Sequence, residues 1–355
     1  MVISRTPYRI SFFGGGTDYP AWYRKHGGSV LATSINKYCY LSVRYLPPFF
    51  EHRVRVVYSK IESVQHFEEI QHPAVRESLR FLQQERGLEI HHDGDLPARS
   101  GMGSSSSFTV GLLLALRALA GVMPTKRQLA MDSIHIEQNM IRETVGSQDQ
   151  VAAAYGGFNH IIFKADGDIV VRPVTITQQR LEELNSYLML FYTGIRRTAS
   201  DLAKSYVEDI ESRSEHLNAM NGMVGEALDI LCSNRCICNF GELLHNTWML
   251  KKSLSSLVSN SVVDELYERS RANGAIGGKI TGAGGGGFLL LFVPPSSQER
   301  VRAALKGLLY VPVKSESSGA QIIFYEPSRE DYAVLDRERS NNHILPFQEL
   351  SALKC

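Results

Sequence analysis

Apolar residues are spaced in two ways along the first part of the chain, and the two spacings predict different elements. A stripe of apolar residues at helical spacing predicts an amphipathic helix over residues 73–86. Runs rich in β-branched and aromatic residues predict strands at 2–13, with a break near Pro7, and at 30–44, 52–58 and 88–92. This region is therefore expected to form several strands and one helix.

The longest apolar run, residues 108–120, predicts a buried helix, and the loop before it is rich in glycine and serine. Gly101 and Gly103 flank one methionine, and residues 104–107 are all serine. Glycine lets the backbone approach a ligand closely, and the N–H groups and dipole of a helix start attract anions. No lysine follows the glycines, so the loop is not a Walker P-loop. The pattern favours a phosphate site over a plain capped helix, which would need only one hydroxyl.

The rest of the chain continues this mixture of elements. Thr125 is expected to cap a helix that reaches Glu143, and the composition becomes mainly helical after a strand at 187–192. That change places a domain boundary near Leu184 and predicts domains 1–184 and 185–355. The other predicted elements are helical runs at 151–155, 178–185, 243–257 and 298–309 and strands at 158–163, 169–174, 288–293, 311–314 and 322–325.

Two more glycine clusters are present. Residues 14–16 are all glycine and precede Asp18, with Arg9 nine residues before it. A turn rarely needs three glycines, which favours a site over a hairpin turn with a surface Asp. The third cluster, residues 277–287, contains a GxGxxG pattern that precedes a strand. A dinucleotide fingerprint needs a strand before it and a helix that opens within it, so that interpretation is rejected.

Charged residues outside the glycine clusters suggest further chemistry. Glu137 and Asp149 are separated by twelve residues, and such a pair can serve one metal ion and one proton. The alternative is a solvated Glu on a helix and an Asp that caps the run at 151–155. Arg196 and Arg197 follow a strand end and suit a terminal phosphate of a substrate, with a solvated pair as the alternative.

Composition and charge restrict the partners. The 355 residues are 43% hydrophobic and 21% charged, and the net charge of +1 gives no bulk attraction to nucleic acid or a membrane. Neither a signal peptide nor a run long enough to span a bilayer is evident, so a cytoplasmic protein is expected. Cys232, Cys236 and Cys238 fit no zinc pattern and are expected to be reduced structural cysteines.

The three glycine motifs, in this order, resemble those of the GHMP kinase superfamily. They lie at residues 5–18, 96–107 and 279–287, so the resemblance spans nearly the whole chain. It implies an α+β, two-domain GHMP kinase fold, in which an N-terminal domain like ribosomal protein S5 domain 2 precedes a ferredoxin-like C-terminal domain. It also implies that ATP is the phosphate donor and that Mg²⁺ is the metal.

The resemblance assigns roles to matching positions. Asp149 would be the general base, and Arg9 would approach the reacting oxygen and the transferred phosphate. Glu137 and Ser105 would ligate Mg²⁺. The sugar would be bound by Gly16, Thr17 and Asp18 of the first motif. Arg196 and Arg197, chosen from their place after a strand end, would bind a phosphate on that sugar. ATP would be bound by Arg99, Ser100, Gly101, Met102, Gly103, Ser104, Ser105 and Ser106 of the second motif and by Gly284 and Gly285 of the third.

The first motif also bears on the substrate. Gly15 and Gly16 stand where galactokinases carry Glu-His, which disfavours galactose. The Gly-Gly-Gly-Thr-Asp version resembles the D-glycero-D-manno-heptose 7-phosphate kinases, which phosphorylate the anomeric C1 hydroxyl. This implies synthesis of the 1,7-bisphosphate for nucleotide-activated heptose and surface polysaccharide. A kinase for an unphosphorylated sugar such as fucose and a catalytically silent sugar sensor are the alternatives, and the sequence leaves open whether the chain forms a homodimer.

Overall fold

The structure is a computed structural model that describes residues 1–47, 52–195 and 209–327 and the single residues 50, 203, 207, 332 and 334. Among these residues, no helix has the length and apolar character needed to cross a membrane. Ten α-helices are described: α1 Pro20–His26, α2 Pro73–Phe81, α3 Ser104–Leu119, α4 Lys126–His135, α5 Gln148–Tyr155, α6 Gln178–Tyr187, α7 Ser214–Cys232, α8 Cys238–Leu254, α9 Ser261–Ala272 and α10 Gln298–Ala304.

The strands form two separate sheets. They are β1 Val2–Phe13, β2 Gly28–Tyr45, β3 Val54–Val57, β4 Ile61–Val64, β5 Leu88–Gly94, β6 Phe158–Phe163, β7 Ile169–Pro173, β8 Leu188–Tyr192, β9 Gly277–Ile280, β10 Phe288–Phe292, β11 Leu309–Tyr310, β12 Ser315–Glu316 and β13 Gln321–Tyr325. The first sheet runs in the order β13-β1-β2-β5-β3-β4, with β12 and β6 also paired to β2 and β7 paired to β6. The second sheet runs in the order β11-β8-β10-β9. The α+β architecture predicted above is confirmed.

Helix α3 is the buried helix that the apolar run predicts, and it packs on strands β1 and β2. Gly111 allows the close approach, because a Cβ there would lie 2.6 Å from Thr6 Oγ1. The Ser4 hydroxyl donates to Gly111 O at 2.9 Å, and the Ser107 hydroxyl donates to Pro7 O at 2.9 Å. These bonds fix the start of α3 beside the middle of β1 and so set the position of the loop before it.

Several predicted boundaries are wrong for local reasons. β1 is not broken at Pro7; the strand continues, and its pairing with β2 shifts register just after this residue. Helix α2 ends at Phe81 instead of residue 86, because Gln83 adopts a left-handed φ of 51° and the Gln84 N–H bonds back to Leu79 O. The helix capped by Thr125 is α-helical only to His135 and then widens into a π-helical turn over Ile136–Met140.

The predicted domain boundary near Leu184 stays a proposal. The second sheet starts soon after it, with β8 at Leu188, and most of the later helices follow. However, β12 and β13 lie far beyond the boundary in sequence and pair with β2 and β1 of the first sheet. The chain therefore crosses between the two sheets more than once.

The two sheets meet where the second glycine motif touches the third. An alanine Cβ at Gly101 would lie 2.4 Å from Thr281 O, and one at Gly282 would lie 2.6 Å from Gly101 Cα. Both glycines have left-handed φ values, of +78° and +69°. Only glycine satisfies the close approach and the backbone conformation together. The two loops therefore position each other directly through their backbones.

We expect Gly282→Ala to destabilise the chain by about 1–3 kcal/mol, because a side chain there strains a left-handed residue and collides with Gly101. Gly222→Ala is the matched control. Gly222 lies exposed inside α7 with no atom within 4 Å of an added Cβ, so alanine should stabilise by about 0.5–1 kcal/mol. Urea unfolding of both variants measures the difference, and equal stability would contradict the assigned contact.

Candidate active site

Arg9 and Asp149 form the central contact of the candidate site. Arg9 Nε donates to Asp149 Oδ1 at 2.7 Å and Arg9 Nη2 donates to Asp149 Oδ2 at 2.6 Å, which is a two-pronged ion pair. The third arm, Nη1, donates to Gly101 O at 2.7 Å. Arg9 is 4% exposed, whereas Asp149 is 24% exposed. The structure thus joins the two predicted catalytic residues, which are 140 positions apart, and links them to the glycine loop.

The second motif forms a loop that ends at the start of α3. Gly103 is the N-cap, with a left-handed φ of 75°, and no side chain caps the helix. A Cβ at Gly103 would lie 3.2 Å from Arg9 and 3.5 Å from Asp149 Oδ2. The first N–H groups of α3 therefore open next to the Arg9–Asp149 pair, as an anion site requires.

The other residues of this loop differ in what they offer. Ser100 Oγ is buried without a hydrogen-bond partner among the described residues, and Ser104 starts α3 half-buried. Met102 is buried in the hydrophobic core, so only its backbone is free to serve a ligand, and its carbonyl already accepts from the Arg9 N–H. Arg99 is exposed and has a left-handed φ of 58°.

Glu137 lies in the π-helical turn after α4 and is 1% exposed. Its Oε2 accepts from Ser106 Oγ at 2.9 Å and from Gln150 Nε2 at 2.5 Å, while Oε1 is buried without a hydrogen-bond partner in the described chain. Burial raises the pKa of Glu137 to about 7, and the neighbouring Thr109, Ser106 and Gln150 side chains oppose this rise. The structure pairs Glu137 with Ser106, and the predicted ligand Ser105 is exposed instead. Ser106 faces Glu137 because it lies one position further around α3.

The first glycine motif is folded in on itself. Asp18 is 1% exposed; its Oδ1 accepts from the Gly16 N–H at 2.9 Å and its Oδ2 from the Gln148 N–H at 3.4 Å. Burial raises the pKa of Asp18, and the charge of Asp149 adds to that rise. The Thr17 hydroxyl lies 2.9 Å from its acceptor Gly14 O. These polar groups are already used within the turn, so their predicted sugar contacts stay proposals.

The remaining predicted residues lie elsewhere. The Gly285 N–H donates to Val258 O at 2.7 Å, and a Cβ at Gly284 would lie 2.7 Å from the same carbonyl. This part of the third motif therefore packs on the loop between α8 and α9, and ATP binding by Gly284 and Gly285 stays a prediction. Arg196 and Arg197 lie outside the described residues.

Two buried lysines near the site were missed from the sequence. Lys251 of α8 is 5% exposed and Lys279 of β9 is 2% exposed. Lys279 Nζ donates to Ser11 O at 2.9 Å and to Phe12 O at 3.0 Å, which ties the second sheet to β1. The sequence could have indicated that Lys279 is buried, because it is a lysine within the apolar strand β9. It could not have indicated this for Lys251, because the next residue is also a lysine.

The three expected structural cysteines are free, with Cys232 and Cys236 exposed and Cys238 half-buried. In the part of the chain that the structure describes, no group of three His, Cys, Asp or Glu side chains could hold a metal by itself. A Mg²⁺ ion held partly by phosphates needs only one or two protein ligands. The unpartnered Glu137 Oε1 and the neighbouring Ser106 hydroxyl meet that requirement.

Fold and site together define a two-domain α+β protein whose glycine loops meet beside an Arg–Asp pair. Family models agree with this description: the GHMP kinases N terminal domain matches residues 70–157, and the GHMP kinases C terminal model matches residues 230–311. Both domain models of the GHMP kinases therefore match this chain, and the predicted two-domain fold is confirmed.

Individual relatives extend the comparison. A D-glycero-alpha-D-manno-heptose 7-phosphate kinase of Campylobacter jejuni subsp. jejuni serotype O:2 is 28% identical over 318 residues, which cover 85% of this chain and 92% of the relative. An L-fucokinase/L-fucose-1-P guanylyltransferase of Bacteroides fragilis is 26% identical over 86% of this chain, which spans 36% of that longer protein.

A solved structure also resembles this fold. The crystal structure of a D-glycero-D-manno-heptose 1-phosphate kinase from Bacteroides thetaiotaomicron has a TM-score of 0.76 and 22% sequence identity. It covers 92% of this chain and 100% of the other. At this identity the likeness concerns the fold alone.

Burial of Glu137 predicts a pH dependence of stability. Its pKa is about 4.3 in an unfolded chain and about 7 when folded, so the folded state binds the extra proton between these values. Metal-free wild type should therefore lose stability as the pH rises from about 4.5 to 7, relative to Glu137→Gln. Urea unfolding across this pH range is the measurement.

Glu77→Gln is the control for this prediction. Glu77 is buried too, but it pairs with Arg76 at 3.0 Å and with Arg80 at 2.5 Å. Removing its charge should lower stability at neutral pH, because the two arginines lose their partner. Parallel stability profiles for wild type and Glu137→Gln would contradict the expected protonation of Glu137.

Proposed function

We propose that the chain is an ATP-dependent sugar 1-kinase that phosphorylates the anomeric hydroxyl of D-glycero-D-manno-heptose 7-phosphate to give the 1,7-bisphosphate. The observation that carries the proposal is the Arg9–Asp149 pair, held 2.6–2.7 Å apart directly beside the start of α3. The Gly-Gly-Gly-Thr-Asp form of the first motif and the name of the Campylobacter relative support the choice of sugar.

The proposed reaction needs positioning and neutralisation of charge more than covalent help from the protein. The loop from Ser100 to Ser106 would bind the ATP phosphates through backbone N–H groups, and Glu137 with Ser106 would hold Mg²⁺, which neutralises phosphate charge when bound. Asp149 takes the proton of the C1 hydroxyl. The hydroxyl oxygen bonds to the γ-phosphorus, the bond between that phosphorus and ADP breaks, and ADP leaves. Arg9 stabilises the transferred group.

A single carboxylate serves as the base in this proposal. Both oxygens of Asp149 accept hydrogen bonds from Arg9, which hold the carboxylate in one orientation. An anomeric hydroxyl is more acidic than an ordinary alcohol, so one Asp suffices to take its proton. The acidity of the acceptor is consistent with phosphorylation at C1.

The alternatives are separated by specific features. A silent sensor on the same fold would be expected to lose the base or the metal carboxylate, and this chain keeps both Asp149 and Glu137 at one site. A kinase of an unphosphorylated sugar such as fucose is supported by the Bacteroides fragilis relative. We also propose a cytoplasmic role in making nucleotide-activated heptose for surface polysaccharide, because a sugar 1-phosphate is the substrate for nucleotidyl transfer.

Kinetics on four acceptors test the choice of sugar. ADP release should be measured with Mg²⁺–ATP and heptose 7-phosphate, fucose, mannose or galactose as acceptor. We expect the highest kcat/KM with heptose 7-phosphate, and phosphorus NMR should detect a new phosphate on C1. A higher kcat/KM with fucose would replace the proposal, and no turnover with any sugar would favour the sensor.

The base assignment predicts a large loss of rate in Asp149→Asn. Asn keeps the shape and one acceptor oxygen but takes no proton at neutral pH. Because a positioned base contributes about 10²- to 10⁴-fold, kcat should fall by that factor, while the affinity for ATP and sugar should change by less than about tenfold. Steady-state kinetics and calorimetric binding measure the two effects.

Asp132→Asn is the matched control. Asp132 pairs with Arg117 at 2.5 Å, and its exposure of 21% is close to that of Asp149. Breaking this Asp–Arg pair should cost similar stability but leave kcat unchanged. An Asp149→Asn variant that binds both substrates and keeps more than about a tenth of the wild-type kcat would refute the base assignment.

A further inference from the structure

The buried Lys251 ammonium has an unusual set of partners. Its Nζ donates to the backbone carbonyl of Gly282, and the described residues give it no side-chain acceptor. An ammonium has three N–H donors, and burial without a bonded counter-ion costs free energy. By contrast, Lys279 is supported by the two carbonyls of Ser11 and Phe12. Among the described residues, the buried Lys251 therefore has N–H donors without an acceptor.

The charges around Lys251 do not supply its missing partner. Arg9 and Lys279 are positive, and the two nearby carboxylates are bonded elsewhere: Asp149 to Arg9, and Asp18 to backbone N–H groups. Burial and the charge of Arg9 lower the pKa of Lys251 to about 8, while Asp18 and Asp149 oppose this effect. At neutral pH, Lys251 is therefore a buried cation to which no described carboxylate is directly bonded.

The position of Lys251 identifies the kind of anion. Its acceptor Gly282 touches Gly101, and Gly101 O is the acceptor of Arg9 Nη1. Lys251 of helix α8 and Arg9 of strand β1 thus donate to two touching glycines, Gly282 and Gly101. The start of α3 opens beside Arg9 and Asp149, so an anion that meets all these groups is a phosphate at the point of transfer.

We propose that Lys251 binds the γ-phosphate of the nucleotide, so that the transferred phosphoryl group is held by Arg9 of the first sheet and by Lys251 of helix α8. This inference rests on the proposed function for its use of ATP. Lys251 would then be a catalytic residue that neutralises the phosphoryl oxygens together with Arg9. The competing interpretation is a structural lysine that only anchors the Gly282 turn.

Nucleotide binding tests the proposal without any sugar. Lys251→Met keeps the length and apolar stem but removes the charge. We expect calorimetry with Mg²⁺ and a non-hydrolysable ATP analogue to show about 10- to 100-fold weaker binding, because a charge-assisted hydrogen bond is lost. ADP lacks the γ-phosphate, so its affinity should change by less than about threefold. Lys251→Arg, which keeps the charge, should keep more of the analogue affinity than Lys251→Met.

Lys252→Met is the control, because Lys252 is the next residue of α8 and pairs with Asp264 at 2.5 Å. It should leave both affinities unchanged. Unfolding by urea separates the two roles of Lys251: a structural lysine predicts lower stability in Lys251→Met with no selective loss of the analogue. Equal losses for ADP and the analogue, or no loss, would overturn the proposal.

The pH dependence of nucleotide binding by the wild type is a second test of the inference. Lys251 faces Arg9 on β1, Asp18 after the first glycine turn, Asp149 on α5 and Lys279 on β9. As the pH rises through about 8, Lys251 loses its proton, so affinity for the analogue should fall relative to ADP. A constant ratio between pH 7 and 9 would contradict the inference. Wild type that binds neither nucleotide would refute the proposed function as well, whereas failure with sugars alone would leave this inference intact.

Discussion

The candidate site depends on one contact, in which the backbones of Gly101 and Gly282 touch where the two sheets meet. Each loop leaves no room for a side chain on the other, so the two backbones are in direct contact. Arg9 of the first sheet donates to Gly101 O, and Lys251 of helix α8 donates to Gly282 O. A ligand held between these two cations would therefore lie beside the glycine contact.

Pairing within the site accounts for part of the charge that is buried here. Arg9 and Asp149 neutralise each other, and Asp18 accepts hydrogen bonds from backbone N–H groups. Glu137 and Lys251 have pKa values shifted toward neutrality, to about 7 and about 8. Burying groups of this kind costs free energy, and such groups are typical of functional sites. Their positions are consistent with Mg²⁺ near Glu137 and phosphate near Lys251.

The sequence predicts those parts of the fold that depend on local patterns. Apolar runs locate most strands, the cap at Thr125 is confirmed by its bond from the Gln128 N–H, and the run at 108–120 becomes α3. Turns that depend on a single left-handed residue, such as Gln83, leave no pattern to find. Strand β4 was also not predicted, because it has only four residues and only one of them is buried.

Individual site residues were harder to predict than motifs. Four consecutive serines look alike in sequence, and only the helical rotation of α3 decides that Ser106 faces Glu137 while Ser105 faces outward. The sequence predicts that Asp18 binds a sugar, and it gives no sign that Gly146 approaches the Asp18 carboxylate so closely. Lys251 and Lys252 are distinguished only by packing, because one side of α8 faces the third glycine motif.

A crystal structure of the chain with Mg²⁺ and a non-hydrolysable ATP analogue tests the account most directly. The account predicts that the triphosphate follows the loop before α3, that the metal contacts Glu137 and Ser106, and that the γ-phosphate lies within hydrogen-bond distance of Arg9. A nucleotide bound away from this loop, or a metal that does not contact Glu137, would contradict it.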